Sequence, residues 1–331
     1  MEDLLKNKVI LVTGGTGSFG NKFADVVLKK YNLKKLIIFS RDEYKQSEMA
    51  KIFPPAQYPV RYFLGDVRDK DRLRRAFEGV DYVIHAAALK QVPALEYNPT
   101  EAIKTNVDGA DNIVDAAIDA GVKKVVALST DKAVNPANLY GATKLVAEKI
   151  FISANAYAGG RVKFSVVRYG NVVGSRGSII PLYLDLKQKN AGEFPVTDEG
   201  MTRFWITLDQ GVDLVLKALN VSLGGEIFIP KIPSMRVVDL AKAVDPTYKL
   251  HSIGIRPGEK MHESLVSEDE SRTTRVVDGA YVILPCFNVT KEFESEYKKY
   301  PAVPKGFTYR SDTNEAWLTV KDLADMIKGL Q

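Results

Sequence analysis

The chain has 331 residues, 45% of them hydrophobic and 26% charged, with a formal net charge of +5 and one cysteine. That length suffices for one large α/β domain and a smaller companion, while a single cysteine excludes an internal disulfide and the absence of long like-charge runs excludes a nucleic-acid-binding tail. No apolar run approaches the roughly 20 residues that cross a bilayer, and Val9-Ile10-Leu11-Val12, which follows a charged leader, is too short for a signal core, so a cytoplasmic protein is expected.

Short β-rich runs alternate with amphipathic stretches through the first half, the pattern of βαβ units feeding a parallel sheet. Strands are predicted at Val9 to Thr13, Lys35 to Phe39, Val60 to Leu64, Asp81 to Ala86, Lys123 to Leu128 and Lys163 to Arg168. They are nearly continuously apolar, as strands covered on both faces must be. Helices are predicted at Phe19 to Lys30, Asp69 to Phe77, Glu101 to Ala120 and Gly141 to Asn155, each with apolar residues at helical spacing.

After Gly170, prolines punctuate shorter elements, with helices predicted at Leu208 to Val221 and Val237 to Ala243. Glu292 to Asn314, rich in charge, Pro and Tyr, reads as an irregular excursion before a last helix, Val320 to Leu330. Cys286 lies in the apolar run Val282 to Phe287 and reads as a small buried hydrophobe. His85, His251 and His262 are scattered, and with one cysteine they offer no metal-site spacing.

Between the first strand and first helix stands Thr13-Gly14-Gly15-Thr16-Gly17-Ser18-Phe19-Gly20. Glycines there let backbone approach a pyrophosphate, which the helix N-terminus then meets with free amides and a positive dipole end. At the end of the second strand, Ser40 and Arg41 suit a 2′-phosphate, so NADP is expected; Asp42, close by, keeps NAD open. Asp66 and Val67 would flank adenine. Ala86 and Ala87 would leave room for the nicotinamide ribose, or simply pack closely. The fold expected is α/β, a doubly wound parallel (Rossmann) sheet with a smaller, interleaved substrate-binding lobe. Residues 1–171 would bind the dinucleotide, with parts of 205–235 returning to that domain, and 172–331 would form mainly the substrate lobe.

The run Ser129-Thr130-Asp131-Lys132 and, further on, Tyr140-Gly141-Ala142-Thr143-Lys144 follows the fifth strand. Tyr140 and Lys144 are one helical turn apart, so both can face the cofactor, and a nearby ammonium would lower the tyrosine pKa. Tyr140 would then take a hydroxyl proton while hydride leaves the same carbon.

Over nearly its whole length the sequence resembles the soluble, configuration-inverting UDP-N-acetylglucosamine 4,6-dehydratases of pseudaminic acid biosynthesis, within the extended short-chain dehydrogenase/reductases. The resemblance implies catalytic roles for Asp131, Lys132 and Tyr140, with Thr130 and Lys144 beside them. Related epimerases usually carry small or hydroxyl residues where Asp131 and Lys132 stand, because they need only oxidise and re-reduce C4. An added acid and base imply an added elimination: Lys132, held neutral, would remove the C5 proton and a protonated Asp131 would assist departure of the 6-hydroxyl. The product implied is UDP-2-acetamido-2,6-dideoxy-β-L-arabino-hex-4-ulose.

On the substrate side the resemblance points to Asn171 against the sugar-nucleotide phosphate and to Val196 and Thr197 in a uracil-contacting strand. Arg203 and Arg256 suit a diphosphate, Glu259 suits ribose hydroxyls, and Lys90 would reach the substrate. A homo-oligomer, a dimer or higher, is expected from the long helices and the family. A UDP-sugar C4-epimerase, a C5-retaining dehydratase and a dinucleotide-sensing regulator stay open as alternatives at this point.

Overall fold

The structure is a computed structural model that describes residues 2–287 and 289–329. Its first half runs α1 (Glu2–Leu5), β1 (Val9–Thr13), α2 (Ser18–Lys30), β2 (Lys35–Ser40), α3 (Glu43–Ile52), β3 (Val60–Leu64), α4 (Lys70–Phe77) and β4 (Tyr82–His85). There follow α5 (Val92–Tyr97), α6 (Pro99–Ile103), α7 (Gly109–Ala120), β5 (Lys124–Thr130), α8 (Leu139–Tyr157) and β6 (Lys163–Tyr169). Every residue of β1 and β4 is buried, because helices cover both faces of the sheet.

The second half comprises β7 (Asn171–Val172), α9 (Ile179–Gln188), β8 (Glu193–Val196), β9 (Thr202–Ile206), α10 (Leu208–Val221), β10 (Ile227–Pro230), β11 (Ser234–Arg236) and α11 (Val237–Val244). It ends with β12 (Lys249–Ser252), β13 (Ser264–Val266), β14 (Thr274–Val277), β15 (Ala280–Ile283), α12 (Lys291–Lys298), β16 (Tyr309–Arg310) and α13 (Val320–Lys328).

One nine-stranded sheet dominates, in the order β3-β2-β1-β4-β5-β6-β10-β15-β14. Strands β3 to β10 in that order pair in parallel, and β15 and β14 close the far edge antiparallel. The order places the reversal point between β1 and β4, above whose carboxyl ends ligands bind in open α/β sheets. Two stretches of the second half thus complete the first half's sheet: β10, and the β14–β15 hairpin. A second core, with Tyr183, Phe194, Trp205, Leu240 and Leu323 buried, holds the smaller lobe together.

Several local readings change. The helix expected from Glu101 to Ala120 is broken by a π-helical turn over Lys104–Asp108. The turn buries Asn106, whose amide accepts from Leu89 N (2.8 Å) and donates to Leu89 O (2.9 Å) and Thr143 Oγ1 (3.0 Å). It pins the loop after β4 beside the cleft, the use such bulges often serve. Helices α3, α5 and α9 carry weak apolar periodicity and stand where none was predicted. Part of the Glu292 to Asn314 stretch is helical, because Thr290 caps α12 by accepting from Phe293 N, and Phe293 and Tyr297 bury one turn apart. Cys286 is exposed rather than buried, because the chain leaves β15 before reaching it. In the last predicted helix, Leu330 lies outside the described residues.

A buried ion-pair network clamps the two halves. Arg168 on β6 donates to both Glu148 oxygens on α8 (3.0 and 2.6 Å), to Glu270 and to the Leu265 carbonyl. Burial opposes charge on Arg168, but the two carboxylates outweigh it and raise its pKa. Breaking such a pair by removing one partner typically costs about 3–5 kcal/mol.

Candidate active site

A cleft of about 1180 Å³ opens above the carboxyl ends of β1, β4 and β5, between the large sheet and the smaller lobe. Gly14, Thr16, Gly17, Ser18 and Phe19 line one edge, together with Ser40, Arg41, Asp66, Val67, Ala86 and Ala87. Gly14 adopts φ 63°, and a Cβ there would meet Ala87 backbone at 2.8 Å, so the turn lies directly on the end of β4. Gly17 N-caps α2 without a side chain, leaving the first-turn amides open. These are the clearance and the donors that a pyrophosphate needs.

Thr13 and Gly20 do not line the cleft; they hold the turn from behind. Thr13 is buried, bonding His85 Nδ1 at 2.9 Å and accepting from Ala87 N at 3.3 Å. Burial pushes His85 down to about 3, keeping the imidazole neutral. A Cβ on Gly20 would lie 2.2 Å from the Gly15 carbonyl oxygen, so only glycine lets α2 pack onto the turn.

At the end of β2, Ser40 Oγ bonds Thr16 Oγ1 at 2.8 Å, tying the strand to the glycine-rich turn. Arg41 stands 3.6 Å from Asp66, which is itself bound by Arg68 at 2.8 Å. Asp42 is engaged elsewhere: it caps α3 through Lys45 N (2.9 Å) and pairs with Lys45 Nζ (2.7 Å). The hydrogen bonds from Lys45 lower its pKa.

At the floor, Thr130, Lys132, Tyr140 and Lys144 all face the cleft. A Cβ on Gly141 would lie 2.1 Å from the Lys132 carbonyl, so this glycine lets the first turn of α8 sit on the short helical turn Asp131–Ala133. That contact brings Tyr140 to Lys132. Lys144 donates to the Leu128 carbonyl at 2.7 Å, and burial pushes its pKa down to about 8. Burial pushes Tyr140 up to about 12, with Lys132 and the Thr130 hydroxyl pulling the other way.

Asp131 is wholly buried and does not line the cleft. Its Oδ1 accepts from Thr130 Oγ1 (2.9 Å) and Lys132 Nζ (3.0 Å), while Oδ2 has no hydrogen-bond partner among the described residues. Burial disfavours charge on Lys132, yet Asp131 and Glu263 outweigh it and hold the ammonium up to about 12. The neutral amine expected from the sequence is therefore not its resting state.

The chain belongs to a family described as polysaccharide biosynthesis proteins. That family matches residues 10–285, so the match takes in the glycine-rich turn, the Asp131-Lys132 pair and Tyr140. Among relatives of this polysaccharide biosynthesis protein, one of Campylobacter jejuni subsp. jejuni serotype O:23/36 (strain 81-176) is named UDP-N-acetylglucosamine 4,6-dehydratase (inverting). It is 51% identical, covering 98% of each chain. A UDP-glucose 4-epimerase of Rickettsia typhi (strain Wilmington) is 41% identical over 97% of this chain and 95% of its own. The solved structure of Pen from Bacillus thuringiensis superposes with a TM-score of 0.89 at 38% identity, covering 99% of each chain.

On the substrate side of this family member, Lys90, Asn171, Thr197, Arg203, Arg256 and Glu259 line the cleft, whereas Val196 packs inward against Met201 and Val237. Asn171 Oδ1 accepts from Lys132 Nζ at 3.3 Å, which places it at the floor of the cleft. Arg203 is buried and already donates to the Thr202 and Met261 carbonyls (2.7 and 3.1 Å), with Glu259 at 3.5 Å. Burial, and then the charge of Lys132, lower the Lys90 pKa. Sequence reasoning missed Glu263, which lines the cleft 3.8 Å from Lys132. The signal available was Lys260 three residues earlier, with which it pairs at 2.8 Å. It also missed Trp205 and Ser129, which line the cleft and carry buried polar atoms without partners among the described residues.

Proposed function

We propose that the chain is a UDP-N-acetylglucosamine 4,6-dehydratase that inverts C5, a hydro-lyase in which Tyr140, Lys132 and Asp131 carry the proton steps. The observation that carries this reading is the Asp131–Lys132 pair, 3.0 Å apart at the floor of the cleft beside Tyr140, with Asp131 fully buried and Lys132 half-buried. Burying a carboxylate against an ammonium is costly, and a reaction that only oxidises and re-reduces C4 has no use for the pair. The naming of relatives 51% identical over 98% of the chain supports it.

A nicotinamide dinucleotide held along the glycine-rich edge would supply a hydride acceptor for C4 and a hydride donor for C6. Thr16, Gly17 and Ser18 hold its pyrophosphate, and Lys144 keeps donors free for its ribose beyond the one spent on Leu128. We read it as NADP, because Ser40 and Arg41 line the cleft where a 2′-phosphate would lie while Asp42 is taken by its helix cap.

Tyr140 removes the 4-hydroxyl proton. It does so as the phenolate while hydride leaves C4; burial opposes that ionisation, and Lys132 and the Thr130 hydroxyl favour it. Once C4 is a ketone, the carbanion left at C5 is an enolate, and the Lys132 amine takes the C5 proton. As the general acid, Asp131 gives a proton through the cleft-lining Thr130 hydroxyl bonded to it to the 6-hydroxyl, which leaves as water; when hydride reaches C6, C5 takes a proton from solvent on the face opposite the one lost. Arg256 and Glu259 receive the UDP moiety. We place this reaction at the start of pseudaminic acid biosynthesis, in a cytoplasmic homo-oligomer; exposed Ile103, Val146 and Tyr157 on α6 and α8 support a subunit contact there. No described helix is long and apolar enough to cross a membrane.

Incubation with UDP-N-acetylglucosamine in deuterated water, followed by NMR, tests the reading. The expected product is the 4-keto-6-deoxy sugar with inverted C5, deuterium at C5 and the original C4 hydrogen at C6. Lys132→Ala should still reduce the cofactor but accumulate it in that form, because elimination stops. A C4 epimer without C5 deuterium would overturn the dehydratase and favour the activity named in the Rickettsia relatives.

A further inference from the structure

Lys132 is held by two carboxylates, and the proposed reaction uses only one of them. Glu263 is almost fully buried at the start of β13, with Oε1 3.8 Å from Lys132 Nζ. Its backbone is fixed on both sides: its amide donates to Ser311 Oγ (2.9 Å) and its carbonyl accepts from Ser311 N (2.8 Å). Its other oxygen lies 2.8 Å from Lys260 Nζ, and Lys260 in turn donates to the Val134 carbonyl at 2.9 Å, just beyond the Asp131–Ala133 turn. Asp131, Lys132, Glu263 and Lys260 therefore alternate in sign, and the chain of charges runs from the catalytic floor to the loop of the smaller lobe.

We propose that Glu263 is a positioning residue for Lys132: its carboxylate is the second anchor of the amine, and its charge governs when that amine is free to take a proton from substrate. The proposal rests on the reading of Lys132 as the C5 base. In that step Lys132 first releases its ammonium proton to water. The amine lone pair then takes the C5 proton, the C–H electron pair passes into the enolate, and the ammonium is restored. A carboxylate facing the amine opposes the first release and favours the second capture.

Other groups facing Lys132 are Asp131 on its own turn, Asn171 after β6, Arg203 on β9, Tyr140 on α8 and Lys90 from the loop after β4. Arg203 and Lys90 repel the ammonium, so Glu263 also offsets them. A purely structural Glu263 would tether the loop carrying Arg256 and Glu259, and its loss would then alter KM or folding without moving any titration.

The test compares wild type, Glu263→Gln and Glu263→Asp, each with its bound cofactor and saturating UDP-N-acetylglucosamine, across pH. Deuterium incorporation at C5 and kcat are read together, with single-turnover cofactor reduction as a control for the C4 step. Because the neutral amine is the active form, incorporation rises with pH through the Lys132 pKa. Removing an opposite charge at this distance should move that limb down by about 1 to 3 pH units in Glu263→Gln. Glu263→Asp, with its carboxylate set back by one methylene, should move it less in the same direction, which decides the matter if the Gln variant does not fold. The limb for cofactor reduction, which follows Tyr140 and feels Lys132 only through its charge, should move less than the C5 limb. Superimposable C5 limbs in wild type and both variants, with normal keto product, overturn the role of Glu263 alone. An epimer from the wild type overturns the dehydratase reading itself.

Discussion

Along the glycine-rich edge of the cleft the decisive contacts are backbone on backbone, Gly14 against Ala87 and Gly20 against Gly15, whereas the opposite edge is a set of charged and polar side chains from four separate segments. Asp131 and Lys132 come from the turn after β5, Asn171 from β7, Arg203 from β9, and Glu259, Lys260 and Glu263 from the loop before β13. The first edge presents fixed amides and empty space to a ligand whose shape does not change. The second presents ionisable groups, which under the proposed reaction change charge during a turnover. A site that binds can be rigid and uncharged, while one that moves protons keeps opposing charges close enough to tune one another.

The comparison is tested most severely where the two edges meet, at Tyr140. Replacing it with Phe should cut turnover by roughly 100- to 10,000-fold, the usual contribution of a general acid–base group, while UDP binding measured by calorimetry stays within a few-fold. A variant near wild-type activity would mean that another group takes the 4-hydroxyl proton. On the backbone edge, Gly14→Ala adds a Cβ 2.8 Å from Ala87 backbone at φ 63°, a strain of about 1–3 kcal/mol that the turn can relieve only by moving. Purified protein should then lose bound dinucleotide by about 10- to 100-fold in affinity, with the pH profile of the residual activity unchanged. If that profile shifts, the two edges are less independent than their construction implies. The smallest effect concerns Arg41, which is more than half exposed. Arg41→Ala should weaken NADP by about 10-fold, the low end for a lost charge-assisted contact, and leave NAD nearly unaffected. Equal loss of both in titrations with each dinucleotide would remove the basis for the NADP assignment.

The π-helical turn at Lys104–Asp108 and the Asp131–Ala133 turn show why parts of both edges could not be read in advance. Apolar spacing across Glu101 to Ala120 is that of an unbroken helix, and only the pull of Leu89 on the buried Asn106 amide explains the extra residue. Likewise Tyr140 and Lys144, one turn apart, suggested that the ammonium would acidify the phenol. In the folded chain Lys144 turns to the Leu128 carbonyl and Lys132 becomes the cation that Tyr140 feels.

What the sequence by itself determined is the part of the protein governed by local rules. Continuous apolar runs specified the parallel strands, Gly14, Gly17 and Gly20 specified the turn, and the run from Thr130 to Lys144 marked the floor of the cleft, because a strand, a tight turn and a helix start each depend on neighbours in the chain. The antiparallel edge of β14 and β15, the placement of Asp131 below the cleft wall and the pairing of Glu263 with Lys132 were decided only by the tertiary structure. Lys132 and Glu263 are over a hundred residues apart, and their charges acquire an effect on each other only once folding has excluded water from between them.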